Sequence, residues 1–152
     1  VQLTFTCTVA AAREPIFAFH TNPENLSVLI AEWPATEVVR SDASIEVGAR
    51  VEIRERMGFM TIDCMFEHHV FEPPARFGER QIRGLFRRFE HVHEFEAVDA
   101  ENTRIIDTVD VALPWWLGGV LADRLIAKPR LERMFALRAR AYTRLAREGR
   151  FA

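Results

Sequence analysis

Cysteine is scarce in this chain: Cys7 and Cys64 are the only two in 152 residues. They lie far apart in strand-like runs without metal-ligand spacing, which argues against a disulfide framework and for buried thiols in a reducing compartment. No apolar run is long enough for a transmembrane helix. The opening "VQLTFTCTVAAAREPIF" alternates apolar and polar residues and lacks a basic start, so it does not read as a signal peptide. The missing initial Met points to a trimmed start, and the expected location is cytoplasmic. Repeats, linkers and low-complexity segments are absent. So are a nucleophile-plus-base pattern, a phosphate-binding loop and any cofactor signature, and no cofactor is expected. The arginine-rich "RQIRGLFRR" is not accompanied by an aromatic stacking motif for RNA and reads as a solvated strand end, and no DNA partner is expected.

What is present is 49% hydrophobic, enough for one domain, 1–152, with a real core. Residues 2–9 place Leu3, Phe5, Cys7 and Val9 on one side of a strand. Two short helices follow. The first has Pro15 in its opening turn. The second has Asn22 as N-cap, Pro23 at its first position, and Leu26, Leu29, Ile30 and Trp33 at helical spacing.

From Pro34 to Leu113 the period is two, which predicts about six antiparallel strands. Val51, Ile53, Glu55 and Met57 share one face, as do Ile62, Cys64, Phe66, His68 and Val70, with a hairpin turn at Gly58 between the two runs. Pro73 and Pro74 end a strand, and "DAEN" joins the last two. Beyond "PWWLGG" the period is helical to the end. Leu121, Leu125, Leu131, Met134, Phe135, Arg138, Tyr142 and Leu145 form one stripe, with an interruption expected at Pro129. One amphipathic helix covers only a strip of so wide a sheet, and a cavity is expected where side chains do not fill the remainder.

The net charge of −2 hides an asymmetry. Residues 123–150 carry nine Arg or Lys against three Asp or Glu. A solvated face ion-paired to the acidic first half explains this. Ribosome or membrane contact through the basic C-terminal helix is the alternative.

The ordered set "GARVEIRERMGF", "EPPARFGER", "GLFRRFEHVHEF", "NTRIIDTVDVALP" and "RLERMFALRAR" resembles the Bet v 1-like/START helix-grip superfamily. The resemblance is strongest to its polyketide cyclase/dehydrase and coenzyme-Q-binding-like branch (SRPBCC), and it covers nearly the whole chain. It implies an α+β fold: a curved antiparallel sheet of six or seven strands wrapped on a long C-terminal helix, with two short helices after strand 1. It also implies a cavity for a lipophilic small molecule. Trp115 and Trp116 stand where the branch has small residues, so the cavity mouth is expected to differ there.

The same resemblance turns Phe89, His91, His93 and Phe95 inward, since residues two apart point the same way. Glu55, His68, Glu79, Gln81 and Asp107 follow by parity. The expected lining is Ile53, Glu55, Phe66, His68, Phe77, Glu79, Gln81, Phe89, His91, His93, Phe95, Asp107, Val109 and Arg138. Three readings remain open, one of them a filled core that holds no ligand. The histidines are hydrogen-bonded wall residues of a binding pocket. Alternatively, His91, His93 or Glu79 act as acid and base in a cyclase or dehydratase. A metal site is disfavoured, because the partner motif of metal-binding histidine strands is missing. Arg138 is expected inside, paired to Asp107 or Glu79, because an isolated buried charge is costly.

Overall fold

A computed structural model describes residues 1–33 and 35–152. β1 (Gln2–Val9) leads into α1 (Arg13–Thr21), a short 3₁₀ turn (Pro23–Asn25) and α2 (Leu26–Leu29). Asn22 caps the turn as expected, its side chain accepting from the Glu24 amide. Six strands follow: β2 (Thr36–Ser41), β3 (Arg50–Met57), β4 (Met60–Glu72), β5 (Arg76–Arg83), β6 (Arg88–Ala97) and β7 (Thr103–Ala112). All pairings are antiparallel and the order is β1-β7-β6-β5-β4-β3-β2, one seven-stranded sheet. Gly58, at φ +61°, opens the two-residue β3–β4 turn, a backbone angle that favours glycine.

A register shift in β4 corrects one expectation. His68 pairs with Glu79, whereas Val70 pairs with Gly78 and Phe71 with Phe77. The bulge at His69 therefore moves Val70 to the outer face and turns Phe71 inward, onto Phe17.

After a 3₁₀ turn (Trp115–Leu117), α3 (Gly119–Ala122), a π-helical turn (Asp123–Ala127) and α4 (Lys128–Arg147) form one helical run. The π turn lies just before Pro129 and carries one extra residue. That residue rotates the helix surface, so the expected stripe fails at its start: Leu121 and Leu125 are 65% and 67% exposed. Ala122, Asp123 and Ala127 are buried in their place, and Asp123 accepts a hydrogen bond from the Leu113 amide at 2.7 Å. From Leu131 onward the stripe holds, with Phe135, Arg138, Tyr142 and Leu145 buried.

The helical run packs on β7 and β1. Val109, Val111 and Leu113 meet Ala127, Leu131 and Phe135, and Phe5 stacks on Phe135 at 4.2 Å between ring centres. A second cluster joins Ile16 and Phe17 of α1 to Phe95, Ile105 and Tyr142. The inner faces of β3, β4 and β5 are left uncovered by the long helix. No helix among the described residues is long and apolar enough to cross a membrane.

Candidate functional site

The uncovered part of the sheet, α1, α2 and α4 enclose a cavity of about 130 Å³. Of the expected lining, Ile53, Glu55, Phe66, His68, Phe77, Glu79, Phe89, His91, His93 and Arg138 border it. Gln81, Phe95, Asp107 and Val109 do not. The Gln81 amide instead donates to the Phe86 carbonyl at 2.7 Å, closing the β5–β6 connection. Phe95 is taken up by α1, its ring 5.2 Å from that of Phe17. Val109 lies fully buried in the cluster under the helical run, and Asp107 sits behind the histidines. Alternation grouped these residues with the lining but carried no information on their place along the sheet.

His20, Asn22, Leu26, Ile30 and Trp33, from the segment after β1, form a wall the pattern did not assign to the cavity. Ile45, Phe86, Arg130, Leu131 and Met134 complete much of the rest. The Asn22 cap and the spacing of Leu26, Ile30 and Trp33 signalled a helix. They carried no information on where it docks.

At one end of the cavity the polar groups converge. Residues His91 and His93 are two apart on β6, with Glu79 opposite His91 on β5 and Asp107 opposite His93 on β7. The two imidazoles bridge the two carboxylates. His91 reaches Glu79 through Nδ1 at 3.0 Å and Asp107 through Nε2 at 2.9 Å. His93 reaches Asp107 through Nδ1 at 2.7 Å and Glu79 through Nε2 at 3.3 Å. Arg138 Nη1 donates to Asp107 at 3.1 Å. Its guanidinium lies over the rings of Phe135 and Trp33, 4.7 and 5.2 Å from their centres. Nearby, Tyr142 Oη and His20 Nδ1 are 2.7 Å apart.

Burial and neighbouring charge oppose one another in this cluster. Burial pushes the Asp107 carboxyl up, but the Arg138 charge and hydrogen bonds from both histidines outweigh it and hold the group well below the usual carboxylate range. Burial likewise raises Glu79, and the His93 and His91 imidazoles bring it well below its ordinary value. Burial opposes protonation of His91, yet the Glu79 charge and the hydrogen bond to Asp107 raise its pKa. Two carboxylates thus face Arg138 and a His91 whose pKa is raised. His20 behaves oppositely: burial, with His93 and Arg138 nearby, lowers its pKa well below the ordinary value. Burial lowers His68 as well.

Glu79, His91 and His93 offer three ligand atoms within 4.8 Å of one another, a set able to approach a divalent ion. An ion there would compete with the contacts that His91 and His93 already make to Glu79 and Asp107, close to the Arg138 guanidinium. The arrangement suits hydrogen bonding and proton transfer better than metal ligation.

Several lining residues also hold buried polar atoms without a protein hydrogen-bond partner: Trp33 Nε1, His68 Nδ1, Glu79 Oε2 and Arg138 Nε. Native proteins rarely leave such atoms unsatisfied. The basic surplus, by contrast, is partly internal. Arg130 pairs with Glu55 at 2.9 Å, Arg144 with Glu32, and Lys128 with Glu132 at 3.8 Å.

A curved antiparallel sheet gripping one long helix around a cavity defines the helix-grip class. Within it, a family model described as polyketide cyclase/dehydrase and lipid transport matches residues 9–137, and the chain belongs to that family. No curated protein matches the sequence. Among solved structures, the chain is similar to the Zhui aromatase/cyclase of Streptomyces sp. R1128, with 15% identity, TM-score 0.68, and 93% and 90% of the two chains covered. It is also similar to norcoclaurine synthase of Thalictrum flavum, with 15% identity, TM-score 0.71, and 98% and 95% covered. A START superfamily protein of Mycobacterium smegmatis gives 13% identity, TM-score 0.67, and 93% and 99% covered. At such identities the likeness is one of fold.

Proposed function

We propose that the chain binds a compact lipophilic molecule carrying one polar end. The supporting observation is the cavity's polarity. Its walls are apolar, among them Leu26, Ile45, Ile53, Phe66, Phe89 and Met134, and its unpartnered polar atoms belong to Trp33, His68, Glu79 and Arg138. A few polar groups in a mostly apolar pocket is the usual composition of a small-molecule site. The volume narrows the class. About 130 Å³ is below the roughly 300–1,000 Å³ of pockets for drug-sized ligands and close to an engineered cavity of about 150 Å³ that takes benzene. The enclosed part of the ligand is therefore one or two fused rings, or a short chain, with a hydroxyl, carbonyl or carboxylate toward the histidines. Titration calorimetry with 2-naphthol tests this. Saturable 1:1 binding, abolished by the cavity-filling Met134→Trp, is expected. Absence of heat, or heat unaffected by that substitution, would remove the reading.

A second reading is cyclase- or dehydratase-type catalysis. The Glu79–His91–Asp107 chain of hydrogen bonds favours it, because it can deliver or accept a proton at the cavity wall. An aromatase/cyclase and a synthase share the fold. The discriminator is turnover of a polyketide-like carbonyl compound that His91→Asn abolishes while leaving binding intact. A compound recovered unchanged supports binding alone.

A further inference from the structure

The end of the molecule near the π turn carries an apolar surface that the cavity does not use. Trp115 and Trp116 are 80% and 64% exposed, and Val120, Leu121, Leu125 and Ile126 are 55% exposed or more. Gly118, at φ +106°, turns the chain between the tryptophans and α3. A Cβ there would lie 3.1 Å from that of Ala122, so glycine both permits the turn and lets the two segments close up. Trp115 and Trp116 share a surface hollow with Ile62 of β4. Two residues before Ile62, the β3–β4 hairpin tip exposes Met60 and, at 99%, Phe59. The molecule thus presents several large apolar groups from two chain segments.

The patch is continuous with the cavity. Phe86 belongs both to the cavity wall and to the hollow with the tryptophans. Ala127, which follows Ile126 directly, also lines the cavity. The charged residues interspersed with the patch are mostly basic. Arg124 and Lys128 flank Leu125 and Ile126, with Lys128 3.8 Å from Glu132, and Arg87 lines the hollow beside Arg83, which pairs with Glu52 at 2.6 Å. Asp123 is turned inward to the Leu113 amide, and Asp63 is held by Arg54 at 2.7 Å.

We infer that this surface docks on an anionic lipid bilayer, with the tryptophans and leucines in the headgroup–acyl boundary and the basic residues against lipid phosphates. Exposed Trp and Leu flanked by Arg and Lys is the chemistry of an interfacial anchor. A second copy of the chain fits less well, since it would bring the same basic rim against this one. The placement beside the cavity lets a lipophilic ligand exchange with the bilayer without crossing water, a consequence that rests on the binding reading above. The docking itself does not.

Flotation with 1:1 phosphatidylglycerol/phosphatidylcholine vesicles, read together with tryptophan emission, tests the surface. The wild type is expected to float and its emission to shift to the blue, with weaker binding to pure phosphatidylcholine. Trp115→Ser/Trp116→Ser should lower the partition coefficient about tenfold or more, as should Leu121→Ser/Leu125→Ser. Both pairs are exposed, so the variants should keep the wild-type melting curve. Failure to float, or flotation unchanged in both variants, overturns the inference. So does self-association in vesicle-free buffer that the tryptophan variant abolishes, if no lipid binding accompanies it, because the patch is then a dimer surface. The 2-naphthol titration contains no vesicles and reports on the pocket alone, so the two ideas fail separately.

Discussion

Replacing Arg138 with alanine removes a guanidinium that donates to Asp107. Both side chains are almost fully buried, with Arg138 at 5% and Asp107 at 3% exposure. In the wild type the Arg138 guanidinium donates to the Asp107 carboxylate at 3.1 Å. Without the guanidinium the buried Asp107 carboxylate loses its arginine partner, and the contacts with Phe135 and Trp33 are lost as well. Breaking a buried pair from one side costs about 3–5 kcal/mol. For a chain of this length each kcal/mol moves the melting temperature by about 2–4 °C, so Arg138→Ala should melt roughly 6–20 °C lower. Arg140, two residues on, is exposed, and its alanine variant should stay within about 0.5 kcal/mol. Thermal and urea unfolding of both variants at neutral pH, with Asp107→Asn alone and combined with Arg138→Ala, gives the coupling. The Asp107 substitution should cost less once the arginine is gone. Equal, small shifts in Arg138→Ala and Arg140→Ala would refute the buried pair and mean that the guanidinium reaches water.

The pH dependence of stability has a definite sign on each side. His91 has a raised folded pKa, so its contribution is complete below the unfolded value of about 6.5 and is lost as pH rises through the folded pKa; His91→Gln should flatten the alkaline limb of a stability–pH curve. His20 and His68 have lowered values, so the unfolded chain takes up protons first and stability falls as pH drops below about 6.5; His68→Gln should soften that acid limb. The Glu79 and Asp107 contributions are present above their unfolded pKa values near 4 and vanish only at lower pH. Burial raises the Cys7 thiol to about 11 and raises Cys64 too. At pH 8 both should therefore react slowly with a thiol-exchange reagent in the native state and quickly in urea, and fast native labelling of Cys7 would contradict its placement.

Much of the fold was legible because its periods are simple. Two-residue alternation from Val51 to Leu113 marks a sheet with one wet face, and the stripe from Leu131 to Leu145 marks the helix that covers it. The site was legible only in part. Parity grouped His68, Glu79, His91, His93 and Asp107 with one face and the family resemblance implied that it points inward, but a face is a line of positions, and the helix decides which of them remain open to a cavity. Asp107, Val109 and Phe95 fell under covering elements, while Phe66, Phe77 and Phe89 did not. Two local irregularities were invisible to a strict period. The bulge at His69 exchanged Val70 for Phe71, and the π turn before Pro129 moved Leu121 and Leu125 out to solvent. His20 was missed because a short helix announces its own apolar spacing and not its docking partner. Its contact with Tyr142 spans 122 residues, and it also meets His93.

The central claim is that the cavity is a binding site, and native mass spectrometry of the purified protein, followed by organic extraction, tests it most directly. The account predicts 1:1 retention or uptake of a compact lipophilic compound with one polar group, absent from Met134→Trp prepared in the same way. A protein that emerges empty and takes up no quinone, fatty acid or polyketide-like compound would contradict it.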